Sequence, residues 1–119
     1  KFGEYPEYHT SADDMNLISP EGFQGSYEVM TQVIQALEYN RHYKSAVLCE
    51  PQLGKRGLYP TLSKKGNYDE INAMMDFIAY ADGKDDLIGV SDRIGVPVIR
   101  LLPIVQRLEK AGLLVSCGE

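Results

Sequence analysis

The spacing of apolar residues in the second half of the chain constrains the fold more than any other feature. Apolar residues recur there at intervals of three and four in successive pieces, which predicts helices with one buried face. A short piece stops at Gly95, a longer one runs to Gly112, and residues 113–115 are apolar again. A short helix, a glycine turn, a longer helix and a strand follow one another in a helix-turn-helix with a wing. The pattern therefore predicts a winged-helix-like domain over residues 67–119.

A glycine and a proline add detail to this prediction. The first helix of the domain has an apolar stripe that ends near Gly83, which is predicted to be its C-cap. Pro103 lies inside the stripe of the last helix. Because proline disrupts a helix interior, either that helix begins late enough to place Pro103 in its first turn, or it kinks there.

Residues 20–41 are predicted to form an amphipathic helix. Ser19 is a favourable N-cap, Pro20 suits the first helical position, and Glu21 places an acid in the first turn. One face behind them carries a stripe made of Phe23, Tyr27, Met30, Ile34 and Leu37. Their alternating steps of four and three residues are typical of a helix with one apolar side.

Residues 44–66 are predicted to be a packed connector. Residues 46–49 are apolar and predict a short strand, whereas the stretch after them holds too many glycines and prolines for a regular element. Leu53 and Leu58 predict that this connector packs against other parts of the chain. The turn GKRG lacks the spacing of a phosphate-binding loop, so a structural role is expected for Arg56.

Taken together, the predicted helices and short strands give a fold class that is mainly α with short β.

Charge and composition argue against several partners. The formal net charge is −5, with 44% hydrophobic and 24% charged residues, as in an ordinary soluble globular protein. Nucleic acids and anionic membranes bind clustered basic surfaces, so neither is an expected partner. No apolar run approaches the ~20 residues that span a bilayer. Cys49 and Cys117 lie far apart, which favours two reduced thiols in a cytoplasmic protein.

The last predicted helix carries the candidate interaction face. Four of its side chains could reach a partner: Arg100, Gln106, Arg107 and Lys110. Helices that read DNA use such side chains for base edges and add cations for phosphates. The preceding segment is instead crowded by acids, namely Asp82, Asp85, Asp86 and Asp92. The sequence therefore favours a packing or protein-interaction face over a DNA-reading one.

A solitary histidine near the start of the chain raises the question of a metal site. His9 lies among four carboxylates: Glu4, Glu7, Asp13 and Asp14. A metal centre needs three or four ligands in a fixed geometry, and no spacing in this stretch demands one. On chemistry alone, a structural or surface role for His9 is favoured over a ligand role.

A family resemblance changes that balance. The run YHTSADDMNLISPEGFQGSYEVMTQVIQAL resembles the end of a zinc-dependent aminopeptidase domain, in which a His-Thr-x-x-Asp turn supplies a zinc ligand. Together with CEPQLGKRGLYPTL and the C-terminal helices, it resembles the bacterial aminopeptidase-like family often found with polysaccharide-biosynthesis genes. The resemblance implies the end of an α/β zinc-peptidase domain (1–43), the packed connector (44–66) and a winged-helix-like domain (67–119).

The resemblance also implies roles for single residues. His9 becomes a zinc ligand, and Asp13 or Asp14 becomes the acid that orients its imidazole. An Asx turn ahead of the helix is an equal alternative for the two aspartates. Tyr5 and Tyr8 flank His9 and could line a substrate pocket, although packing is the favoured reading.

The chain departs from the family pattern in one large respect. The other ligands and the general-base glutamate of such enzymes lie upstream of the position of Lys1, so no catalytic residue is assigned here. The expectation is a C-terminal fragment that is inactive alone, binds zinc weakly, and pairs with the remainder of its own peptidase-like domain. One alternative is a stand-alone interaction module, with homo-oligomer formation and no metal role. A DNA-binding regulator is the third and weakest hypothesis.

Overall fold

The computed structural model describes residues 3–59 and 67–117, without the side chains of residues 67 and 68. The chain divides into two compact units, Lys1–Ile34 and Gln35–Glu119. Four α-helices and one three-stranded sheet occur in the described ranges. The predicted class, mainly α with short β, is confirmed.

Helix α1 spans Pro20–Glu38 and begins as predicted. The Ser19 hydroxyl oxygen accepts a hydrogen bond from the Gly22 N–H at 3.1 Å, which satisfies one of the unpaired donors of the first turn. The helix ends three residues before the predicted position 41. Its last turn tightens there, because the Asn40 N–H bonds the Leu37 carbonyl at 3.3 Å, three residues back.

The apolar stripe of α1 is uncovered. All of α1 lies in the described part of the chain, and none of its residues is buried. Seven large apolar side chains of the helix are between 53% and 68% exposed: Phe23, Tyr27, Val29, Met30, Val33, Ile34 and Leu37. Contiguous apolar surface of this kind is uncommon on soluble proteins and marks contact sites.

The sheet has β1 at its centre, flanked by β2 and β3 in antiparallel pairs. The strands are β1 (His42–Ser45), β2 (Asp82–Asp86) and β3 (Leu114–Cys117). The strand predicted at residues 46–49 is therefore misplaced. Tyr43 is 4% exposed and faces the core, whereas Leu48 projects fully into solvent, so the earlier segment has the side chain that the core can bury.

Helix α2 spans Asn67–Tyr80, and the prediction that Gly83 caps it is wrong. The Ala81 N–H bonds the Ile78 carbonyl at 3.3 Å, which closes the helix two residues earlier. Gly83 instead lies within β2, with φ +86°. Pairing with β1 draws this segment into the sheet directly after the helix.

Helices α3 (Leu87–Ile94) and α4 (Val98–Lys110) form the predicted helix-turn-helix. Gly95 joins them in a left-handed conformation, φ +68°, that favours glycine. Pro103 is the sixth residue of α4, so a late helix start does not explain it. Because its ring nitrogen carries no hydrogen, the Ile99 carbonyl does not receive the helical hydrogen bond that residue 103 would otherwise donate.

One core joins β1, β3, α2, α3 and α4. The most buried side chains are Phe77, Leu53, Met74, Leu87, Leu101, Ile104, Leu108, Leu113 and Val105. Leu53 and Leu58 are both in this core, so the described part of the predicted connector, residues 44–59, contributes to it, whereas residues 60–66 lie outside the described ranges. Compactness alone does not decide a functional boundary, and the three-part division at residues 43 and 66 stays a prediction.

We expect Leu101→Ala to lower the free energy of unfolding by about 2–5 kcal/mol, since Leu101 is 0% exposed and its loss leaves a cavity. Leu48→Ala is the matched control, because the same atoms are removed from a fully exposed side chain and the change should stay within about 0.5 kcal/mol. Urea unfolding of both variants measures the difference. Equal losses would contradict the packing described.

The start of α3 is fixed by a carboxylate. Asp86 Oδ1 accepts a hydrogen bond from the Gly89 N–H at 2.8 Å, and Oδ2 accepts one from Asn40 Nδ2 at 2.8 Å. Asn40 Oδ1 in turn accepts the Ile88 N–H at 3.0 Å. The bond from Gly89, followed by that from Asn40, holds the pKa of Asp86 below its usual range.

This cap makes stability depend on pH. Because the pKa of Asp86 is lower in the folded chain, protonation favours unfolding. The stabilisation is complete above about pH 3.9 and is lost as the pH falls through the folded pKa. Asp86→Ala should cost about 0.5–2 kcal/mol at neutral pH, and its difference from wild type should shrink below about pH 4. Denaturation across that range tests this, and a constant difference would refute it.

Candidate functional site

The first candidate site is the histidine turn, residues 3–19, which consists of successive hydrogen-bonded turns. His9 adopts φ +60°, a left-handed conformation that few residues other than glycine take. Thr10 fixes the bend, because its N–H and its hydroxyl both donate to the Glu7 carbonyl, at 2.9 and 2.7 Å. The His9 side chain is exposed, and its ring lies 4.2 Å from that of Tyr8 at 61°. The imidazole is therefore accessible to a ligand or a partner.

The two aspartates of this turn have separate partners. The Tyr5 hydroxyl donates to Asp13 Oδ2 at 2.9 Å, and this bond is the main cause that raises the pKa of Tyr5. Asp14 Oδ1 accepts from the Asn16 N–H at 2.8 Å, which is the contact of an Asx turn. The predicted role of either acid in orienting His9 stays a prediction.

The possible metal ligands of the histidine turn are His9 and the carboxylates around it. Among residues 3–59 and 67–117, no three His, Cys, Asp or Glu side chains converge to hold a metal ion. Zinc in proteins takes three or four such ligands. The exposed imidazole of His9 has the chemistry of one such ligand.

The second candidate site is the outer surface of α4, where the four predicted residues differ in setting. Arg100, Gln106 and Lys110 are exposed. Arg107 is half-buried, forms an ion pair with Glu70 of α2, and donates from Nη2 to the Leu58 carbonyl at 3.0 Å. Its guanidinium is thus occupied in joining α4 to α2 and to the segment before α2.

A second arginine supports the same packing. Arg56 Nη1 donates to the Ala111 carbonyl at 3.1 Å, so the GKRG turn bonds to the end of α4. This agrees with the structural role predicted for Arg56. The Arg107 contacts were missed by sequence reasoning, because their partners lie 37 and 49 residues away and leave no local spacing signal.

Sequence reasoning also missed a groove between α2 and α4. Its volume is about 580 Å³. Ala73, Val96 and Ile104 form its apolar floor, with Asp69 on the α2 side and Arg100 on the α4 side. These residues come from three separate segments, so only the folded chain brings them together.

The arrangement of α3, Gly95, α4 and β3 defines a winged helix domain. A family model described as winged helix-turn-helix matches residues 41–116, and the chain belongs to that family. A second model, for a domain of unknown function (DUF4910), matches residues 1–40.

Two relatives from Clostridium acetobutylicum add a second similarity. One is named a polysaccharide biosynthesis protein with aminopeptidase-like domain, and it is 36% identical over 110 residues. The other is a crystal structure of a protein described as a peptidase, with a TM-score of 0.76 and 32% identity over 95% of this chain. The predicted resemblance to aminopeptidase-like proteins linked to polysaccharide biosynthesis is confirmed.

The chain spans about a quarter of the length of these relatives. The alignment covers 90% of this chain and 25% of the first relative, and the superposition covers 24% of the second. Within the described ranges, none of the helices combines the length and apolar character needed to span a bilayer.

We expect Arg107→Gln to lower the free energy of unfolding by about 1–2 kcal/mol, since it removes a charged donor to the Leu58 carbonyl and a partly exposed ion pair. Lys110→Gln is the matched control on the same helix, because it removes the charge of an exposed side chain, and its effect should stay within about 0.5 kcal/mol. Chemical denaturation compares the two. If both variants were as stable as wild type, Arg107 would not hold these elements together.

Proposed function

We propose that these 119 residues serve within a zinc-dependent aminopeptidase-like hydrolase, where they close the peptidase-like domain and carry a winged helix used for packing or protein interaction. The observation that carries this proposal is the match of 90% of the chain to one quarter of an aminopeptidase-like relative. The accessible imidazole of His9, next to a capped helix, supports it.

In this proposal His9 is one zinc ligand, and Asp13 or Asp14 positions the turn around it. The Tyr5–Asp13 hydrogen bond joins a residue four positions before His9 to one four positions after it, which supports a fixed orientation for the residues between them. Tyr5 and Tyr8, beside the histidine, would border the substrate pocket. A bound zinc ion would act as a Lewis acid in amide hydrolysis.

The remaining chemistry would come from the rest of the enzyme. Metal-assisted hydrolysis needs further ligands and a carboxylate that accepts a proton, and no residue of this chain is assigned that role. We therefore propose that the 119 residues alone are inactive and bind zinc weakly.

The proposed partner of α1 is the remainder of the peptidase-like domain. Seven large apolar side chains of α1 are each more than half exposed. Fully covering a side chain of this kind contributes about 1.5–3 kcal/mol, so a complementary apolar surface would bind the helix firmly. The free thiols of Cys49 and Cys117 support a reducing compartment, and we propose the cytoplasm.

A stand-alone interaction module without a metal is the second candidate function. The same uncovered stripe of α1 favours it, because an apolar helix face is a docking element whatever it docks to. The two candidates differ in what they require of His9.

We expect His9→Ala to lower the zinc content of the full-length gene product severalfold while its circular dichroism stays unchanged, since removing one of a few ligands weakens a metal site strongly. His42→Ala is the control, because it removes the other histidine of these 119 residues, which lies in β1. Zinc is measured by mass spectrometry after dialysis, and aminopeptidase activity is followed on amino-acid nitroanilides.

The outcomes separate the two candidate functions. Loss of zinc in His9→Ala alone supports the hydrolase. Equal zinc content in wild type and His9→Ala, with no activity in either, would favour the interaction module and refute the ligand role of His9.

A further inference from the structure

We propose that a second copy of this chain binds in the groove between α2 and α4, giving a two-fold dimer in which Asp69 of each copy contacts Arg100 of the other. The inference is independent of the proposed hydrolase role, because each residue that it uses belongs to the winged helix.

The groove can receive apolar side chains. Its volume is about 580 Å³, and its floor contains Ala73 and Ile104, which are buried. Val96, at the turn between α3 and α4, completes this apolar base. A ligand or partner that fills it must present apolar groups, since burying an unpaired polar group against such a floor is unfavourable.

The lip of the groove presents apolar groups of this kind. Ile99 is 36% exposed and Pro103 is also exposed, whereas the other apolar residues of α4 are buried or partly buried. They lie four residues apart, on one side of the helix. The same surface therefore contains both the apolar projections and the apolar recess that would receive them.

The charges of the groove are arranged in the same self-complementary way. Asp69 lies on the α2 wall and Arg100 on the α4 wall, and both are exposed. Neither side chain forms an ion pair with another described residue, whereas the neighbouring Glu70 is paired with Arg107. One acid and one cation thus face the groove with charges that an opposing surface can satisfy.

A second copy fits these requirements through symmetry. In a two-fold interface the same patch lies on both sides, so that residue i contacts j and j contacts i. An acid and a cation on opposite walls then form two ion pairs, and Ile99 and Pro103 of each copy meet the floor of the other. DNA fits less well, because Asp69 and Glu70 would face its phosphates.

The experiment uses charge reversal and sedimentation of the purified protein. Wild type should form a dimer in the micromolar range, as expected for a small interface. Arg100→Glu and Asp69→Lys should each raise the dissociation constant about tenfold or more, since like charges then oppose each other at two symmetric contacts. Mixing the two variants should restore dimers, because each mixed pair regains opposite charges at both contacts.

Matched controls keep the test specific. Lys110→Glu and Asp76→Lys make the same charge changes at exposed positions on α4 and α2 that lie outside the groove, and both should dimerise like wild type. Arg100→Gln and Asp69→Asn repeat the test with milder changes if a reversal variant fails to fold by circular dichroism.

Three results would overturn the proposal. A wild-type protein that is monomeric throughout the micromolar range has no such dimer. Association that survives both charge reversals would arise at another surface, such as α1. Failure of the mixed variants to pair would show that Asp69 and Arg100 do not meet across an interface.

Discussion

The backbone ladder of β1 is the contact on which the rest of the winged helix depends. β1 bonds β2 on one side and β3 on the other, so it brings together two strands that are separated by 28 positions in the sequence, from Asp86 to Leu114. Tyr43, in the middle of β1, is buried, and its ring packs edge-on to Phe77 of α2 at 6.1 Å. Two residues before the strand begins, Asn40 bonds Asp86 and thereby fixes the start of α3. Sheet, core and helix-turn-helix therefore meet at one short segment.

Local patterns predicted the helical part of this fold well. The stripes around Leu101 and Leu108 and the stop at Gly95 correspond to buried residues and a left-handed turn, because helix faces and caps are determined by neighbours three and four residues away. The position of β1 was not predictable in this way. Residues 42–45 become a strand because distant segments pair with them, and the more apolar run at 46–49 is left outside the sheet.

The candidate sites show the same limit. His9 could be singled out from its sequence and from the resemblance to zinc aminopeptidases, and the structure adds its exposure and its left-handed backbone. The groove between α2 and α4 could not be anticipated, since Asp69 and Arg100 are 31 residues apart and no motif connects them. A metal site assembled from several segments leaves only one residue in any one of them, so a single histidine carries little signal by itself.

The uses of charge in the winged helix bear on what it can do. DNA-reading helices keep their cations free for phosphates and bases. In α4, Arg107 is held by Glu70 and the Leu58 carbonyl. Ile99 and Pro103 are exposed on the same helix, and their side chains form no hydrogen bonds. An exposed apolar lip beside an apolar recess suits contact with protein surface, where shape and hydrophobic burial supply the affinity. The domain has the architecture of a winged helix, whereas its contact with protein is a proposal that rests on this surface chemistry, because fold and function have to be argued separately.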